Sequence, residues 1–271
     1  MGLFNWKKKK KERPELQESS EKAGTGTFLS FVLLGEHGYD LNRLAMQLKE
    51  DWGIVLEEGD VDSEKGVITA EADGMMVAVS IMGGPVPYEE VMANARTNYA
   101  WQDAVSVAEN HKDHVMVAVL RRDQPLLDAG QLLVKLLAST AKDDHVTGIN
   151  TLGSVLHPLA YSEMAEMAIK GDQYPVMNLV FVGLYSRDEG KTCSGYTYGL
   201  EVFGKDDMEV LDSNQDREAL YSFLYDIASY VILSDVTLKD GETIGFTADQ
   251  KLPITYSDGV ALGSKTLKIA Y

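Results

Sequence analysis

The sequence predicts an α+β fold: two ferredoxin-like βαββαβ halves packed into one body, with mostly antiparallel sheets and helices on one face. Three observations carry this. Strand-sized apolar runs alternate with helix-periodic segments from residue 27 onward. The pair Asp73-Gly74 joins two such runs, and Asp-Gly favours the tight turn of an antiparallel hairpin. No apolar run approaches the roughly 18–20 residues that cross a bilayer, so the runs read as strands and core helices.

Taken in order, residues 28–34 form an apolar and aromatic strand that ends at Gly35. Asp40 caps a helix whose apolar face is Leu41, Leu44, Ala45, Leu48 and Trp52, and Gly53 ends it. Strands follow at 67–72 and 75–82. Gly83-Gly84-Pro85-Val86-Pro87 then breaks the chain ahead of helical material reaching Asn110, and 114–120 is a further strand. That order is βαββαβ. Pro125 suits the first turn of a helix capped by Asp123, and paired leucines at 126/127, 132/133 and 136/137 predict a helix buried between layers. Beyond it come a strand at 146–152, a helix at 161–170, a hairpin from 176–185 and 196–203, and a short strand at 209–211. Ser213 with Asp216 starts a helix reaching Ser234, and β-like pieces close the chain. The division expected is a disordered basic tail at 1–26, a first half at 27–122, a connecting buried helix at 123–144 and a second half at 145–271.

The 271 residues carry a net charge of −17, spread unevenly. Residues 1–22 hold seven basic and four acidic groups, which leaves −20 on the rest. Phosphate backbones are bound mainly by lysine and arginine, so this body excludes nucleic acid as a partner and favours a basic protein. The single Cys193 has no internal partner, which fits a reducing compartment and a cytoplasmic location. Lysines follow the first apolar residues instead of preceding them, the reverse of a secretory signal.

Residues 196–205 (Tyr-Thr-Tyr-Gly-Leu-Glu-Val-Phe-Gly-Lys), Met208 to Asp212, Asp240 to Thr247 and the closing Leu267-Lys268-Ile269-Ala270-Tyr271 form a recognisable set. With them goes His111-Lys112-Asp113-His114-Val115 ahead of a strand. The chain resembles, best over 196–271 and loosely over 27–271, a bacterial family known as domain of unknown function 4261. The resemblance implies a bacterial, cytoplasmic α+β module and brings no reaction, ligand or functional residue.

The candidate chemistry is sparse. His111 and His114 are spaced H-x-x-H, but zinc takes three or four ligands and the glutamate of H-E-x-x-H is missing, so they read as residues at a helix end and no metal is expected. Cys193 lies in a hairpin without the setting that activates a thiol. Gly83-Gly84 lacks the lysine of a phosphate loop, and Pro85 and Pro87 remove two N–H donors. No cofactor is expected. The densest polar–aromatic patch holds Tyr196, Tyr198, Glu201, Asp206, Asp207, Glu209 and Asp212. Strand alternation there puts the two tyrosines opposite Glu201, and a core-facing carboxylate would have a raised pKa suited to acid–base work. Glu201 and Glu209 are therefore the catalytic candidates.

The reading preferred on these grounds is a non-catalytic intracellular interaction or regulatory module that binds a protein partner, a basic one. One alternative is a hydrolase-type enzyme with an acidic site around Glu201 and Glu209. Another is a membrane-surface adaptor: Leu3, Phe4 and Trp6 followed by Lys7, Lys8, Lys9, Lys10 and Lys11 combine apolar wedges with a polybasic run, which suits peripheral contact through residues 1–12 with the inner face of the membrane.

Overall fold

A computed structural model describes residues 27–57, 59–247 and 249–271. The expected tail and its Leu3–Lys11 contact segment lie outside the described residues.

Two sheets and their helices make the α+β class plain. The first sheet contains β1 (Thr27–Leu34), β2 (Val61–Asp62), β3 (Val67–Ala72), β4 (Met75–Met82), β5 (Asp113–Leu120), β6 (Val146–Thr151) and β7 (Ser154–Leu156). Their order is β2-β3-β4-β5-β1-β6-β7, and every pairing is antiparallel. The second sheet contains β8 (Phe181–Tyr185), β9 (Cys193–Tyr198), β10 (Met208–Ser213), β11 (Thr243–Ile244), β12 (Leu252–Asp258) and β13 (Lys265–Ile269). Its order is β11-β12-β13-β10-β9-β8, with β10 parallel to β13.

The helices are α1 (Leu41–Trp52), α2 (Tyr88–Thr97), α3 (Ala104–Asn110), α4 (Leu126–Thr140), α5 (Pro158–Lys170) and α6 (Arg217–Leu233). Asp40 caps α1 by accepting from the N–H groups of Asn42 and Arg43, and Gly53, at φ 69°, ends it in the left-handed conformation that glycine tolerates. Two expected caps differ. Pro125 itself takes the cap position of α4 without a side-chain bond, so Asp123 does not cap it. Asp216, not Ser213, caps α6 by accepting from Ala219 N–H.

The ferredoxin-like arrangement is not what the register builds. A split βαβ unit sets one strand between the two strands that a helix joins. Here β5 and β4 both lie between β1 and β3, because β5 pairs along the whole of β1 on one side and of β4 on the other. Nor do the helices keep to one face. In β1, Phe28, Val32 and Leu34 join the core that includes α1 and α4, whereas Leu33 joins a second cluster with Val91, Met92 and Ala104 of α2 and α3. A strand apolar on both sides needs cover on both, and residues 88–110 supply the second. The same strand needs a partner at each edge, and β6 supplies it, so the first sheet crosses the division expected at residue 145.

α4 is the link between the sheets, as its paired leucines predict. It packs on β5, β1, α1 and α5, and ten of its residues are buried. On its far side Gly130 leaves room for Tyr174, Leu179 and Phe203, whose atoms a Cβ there would meet at 2.5–3.5 Å. Phe203 in turn meets Phe28 edge-on at 5.8 Å. One core therefore serves both sheets.

Candidate functional site

The sequence-nominated residues do not converge. Glu209 is 0% exposed on β10 and points at the turn between β12 and β13. Its carboxylate accepts from the N–H groups of Val260 and Ala261 at 3.0 Å and of Leu262 at 3.3 Å, and Lys268 Nζ lies 3.1 Å away. Burial alone would raise its pKa, but the Val260 and Ala261 N–H bonds and the Lys268 ammonium outweigh it and hold the group below the usual range. The expected raised pKa is thus overturned: Glu209 is a permanent anion with its acceptors filled. Glu201 is not on the strand at all. β9 stops at Tyr198, Gly199 turns at φ 118°, and Glu201 stands exposed on a short 3-10 turn, Leu200–Phe203. Among the described residues no group of three or more His, Cys, Asp or Glu is arranged to hold a metal ion.

His111 and His114 serve the Gly83-Gly84 turn. His111 is 6% exposed; its Nδ1–H donates to the Ala108 carbonyl at 2.6 Å and its Nε2 accepts from Val86 N–H at 2.8 Å. Burial lowers its pKa, so the ring is held neutral in one tautomer. His114 donates to the Gly84 carbonyl at 2.9 Å, and Asp113 accepts from Gly84 N–H at 2.8 Å. The H-K-D-H run therefore anchors a turn. Cys193 is 8% exposed and burial pushes its thiol pKa up, which leaves it a poor nucleophile.

The features that do converge lie where the sheets meet. Asn98, just past α2, accepts from the N–H groups of Ala100 and Trp101 at 3.0 and 2.9 Å and donates to the Val155 carbonyl at 2.8 Å. This fixes a short loop that presents Tyr99 and Trp101. Trp101 packs edge-on against His157 at 5.1 Å, and Tyr99 donates to the Val182 carbonyl at 3.3 Å while Arg217 lies over its ring at 5.4 Å. With Met164, Met177, Phe181 and Tyr221 they line a cleft of about 460 Å³. Burial raises the Tyr99 phenol to about 12 and also raises that of Tyr221, so both rings present neutral hydroxyls.

A second chamber of about 340 Å³ adjoins it, lined by Phe31, Glu90, Asn94, Asn150 and Tyr198 among others. Leu152 lines both. It forms the β6–β7 turn with Gly153, at φ 53° and 63°, and the Tyr198 ring rests on Gly153. A leucine in the left-handed region carries a local backbone cost. A third depression of about 470 Å³, beside the end of α4, holds Lys142, but that ammonium is already taken by Asp51 at 2.8 Å and Glu166 at 2.7 Å.

The elements that carry Tyr198, Glu209, Tyr221 and Lys268 form one continuous stretch, β9 to β13 with α6. Residues 196–270 match the family described as Domain of unknown function (DUF4261). The DUF4261 stretch thus contributes one wall of the double cleft, while Tyr99, Trp101, Asn94, Asn150 and Leu152 come from outside it. No curated protein and no solved structure matches the chain. No described helix is long and apolar enough to cross a membrane.

Sequence reasoning missed the double cleft because its residues come from seven separated segments, from Phe28 to Tyr221. Two local signals were present: the aromatic pair Tyr99 and Trp101 in an otherwise polar loop, and Leu-Gly where a tight hairpin usually takes Asn-Gly.

Proposed function

We propose that this chain is a non-catalytic interaction module that seats a large apolar or aromatic side chain of a basic protein partner in the cleft formed by Tyr99, Trp101, Met164, Met177 and Tyr221. The observation that carries this reading is the cleft's composition. Aromatic and methionine side chains dominate it, a chemistry suited to adaptable contact with partner side chains. Its tyrosines stay protonated at neutral pH, Glu209 and Cys193 are buried and do not line it, and the one histidine in its wall, His157, packs edge-on against Trp101 and accepts from Ala160 N–H. The −20 charge outside residues 1–22 speeds encounter with a basic partner. We assign the module to the cytoplasm of a bacterium, where a lone thiol stays reduced.

The test is calorimetric titration of the full chain with acetyl-Trp-Gln-Gln-amide, beside a Met177→Glu variant. Met177 is 40% exposed, so the variant keeps its fold. Binding that Met177→Glu weakens about tenfold or more supports the reading. Equal binding by both proteins, or none by either, overturns it.

A further inference from the structure

We infer that the second chamber recognises a lysine or arginine two positions along the chain from the apolar residue seated in the first, so that the double cleft reads an apolar residue and a basic one on the same side of an extended peptide. The inference rests on the function proposed above and deepens it.

Four features point there. Tyr198 is 42% exposed and offers a ring face inside the chamber, a surface to which ammonium and guanidinium groups are attracted. Glu90 lines the chamber, and Glu201 stands exposed on the Leu200–Phe203 turn, whose neighbours Gly199 and Val202 are also in the chamber wall. Glu90 and Glu201 are exposed and make no ion pair among the described residues. An aromatic face rimmed by unpaired carboxylates suits a cation.

The fourth feature fixes backbone, not charge. Asn150 is 3% exposed yet lines this chamber; its carbonyl oxygen accepts from Asn94 Nδ2 at 2.8 Å, and its own amide nitrogen has no partner among the described residues. That amide nitrogen is available to donate to a peptide carbonyl. Leu152, common to both chambers, sets the spacing between the two side-chain positions. Successive side chains of an extended peptide point to opposite sides and alternate ones to the same side, so one residue in each chamber is separated by about 7 Å along the strand.

The experiment uses the full chain and three peptides: acetyl-Trp-Lys-Lys-amide, acetyl-Trp-Gln-Gln-amide and acetyl-Ala-Lys-Lys-amide. A Glu90→Gln/Glu201→Gln variant removes the rim charges. A Glu64→Gln/Glu71→Gln variant removes the same charge from residues on the opposite end of the first sheet, whose edge is β2-β3. The Trp-Lys-Lys peptide should bind wild type most tightly. The rim variant should weaken it at least tenfold and leave Trp-Gln-Gln unchanged, while the distant variant changes neither by more than about twofold. If the rim and distant variants act alike, the attraction is that of the acidic body alone and this inference is overturned while the apolar cleft stands. If Ala-Lys-Lys binds as well as Trp-Lys-Lys, the cleft is not read and the function proposed above fails first.

Discussion

Glu209 and Lys268 face each other across the parallel pairing of β10 with β13, 3.1 Å apart, and the carboxylate is wholly buried. The pair ties the last strand of the chain into the second sheet, and three backbone N–H groups complete the shell of the anion. Such a group organises the fold and has no acceptor left for a substrate proton.

Glu209→Ala therefore leaves three N–H groups without their acceptor and removes the counter-charge of a shielded ammonium, which keeps its bonds to the Asp258 carbonyl and Thr266 Oγ1. Removing one member of a buried pair costs about 3–5 kcal/mol. Glu209→Gln keeps the shape but turns an N–H donor on groups that need an acceptor, so it should lose less, though above about 1 kcal/mol. Urea unfolding of both variants measures this, and peptide binding at the double cleft should persist in Glu209→Gln. A midpoint unmoved in both would show that the buried contact contributes nothing.

His111 makes stability depend on pH in a defined sense. Burial lowers its folded pKa below the ordinary value near 6.5, so the folded protein binds fewer protons than the unfolded chain. Its contribution is fully present above about pH 6.5 and is lost as the pH falls toward the lowered value, with a slope of at most about 1.4 kcal/mol per pH unit. The charged form also gives up the Val86 N–H bond. Asp113, which accepts from Gly84 N–H and bonds His37, and His114, which donates to the Gly84 carbonyl, sit at the same turn. A His111→Gln variant should show a flatter fall in stability between pH 7 and pH 5.5 than wild type. Parallel curves would remove His111 as the cause.

Asp207 works in the opposite direction. Burial raises its pKa to about 6 despite bonds from Leu200 N–H, Thr197 Oγ1 and Gly199 N–H. Below that value the folded state holds a proton that the unfolded chain has released, so stability rises as pH falls. Against Asp207→Asn, wild type should gain about 1 kcal/mol on going from pH 7.5 to pH 5. Thermal unfolding at the two pH values tests the difference, which is zero if Asp207 is ionised throughout.

Local grammar was legible in the sequence to the extent that it was written in short-range terms. Asp40, Gly53 and Asp73-Gly74 act where their spacing put them, and the leucine pairs of α4 announced a helix buried between layers. Strand order was not legible, because hairpin signals fix neighbours such as β3 and β4 but say nothing of which strand lies beside β1. Glu201 and Glu209 show the same limit. Alternation locates a side chain on a face only while the strand lasts, and Gly199 ends it; no local pattern shows that a turn 51 residues away closes over Glu209. The cleft was hidden for the same reason, since Asn98, Asn150 and Tyr198 meet only through tertiary packing.

The β6–β7 turn offers the most direct check that the two chambers are built by one strained element. Gly153 adopts φ 63°, and a Cβ there would come within 3.0 Å of the Tyr198 ring. Alanine in the left-handed region costs about 1 kcal/mol before any clash. Tyr198 is a flexible ring on a half-exposed face, so it should swing away and not unfold the sheet, for a total loss of about 1–2 kcal/mol. The displaced ring no longer offers its face to a cation, so the preference for Trp-Lys-Lys over Trp-Gln-Gln should shrink while Trp-Gln-Gln binding changes little. Gly263→Ala, where a Cβ meets nothing within 4 Å, serves as the neutral control. Lysine preference kept intact in a folded Gly153→Ala protein would mean that Tyr198 is not the surface that reads charge, and the acidic rim would have to act without it.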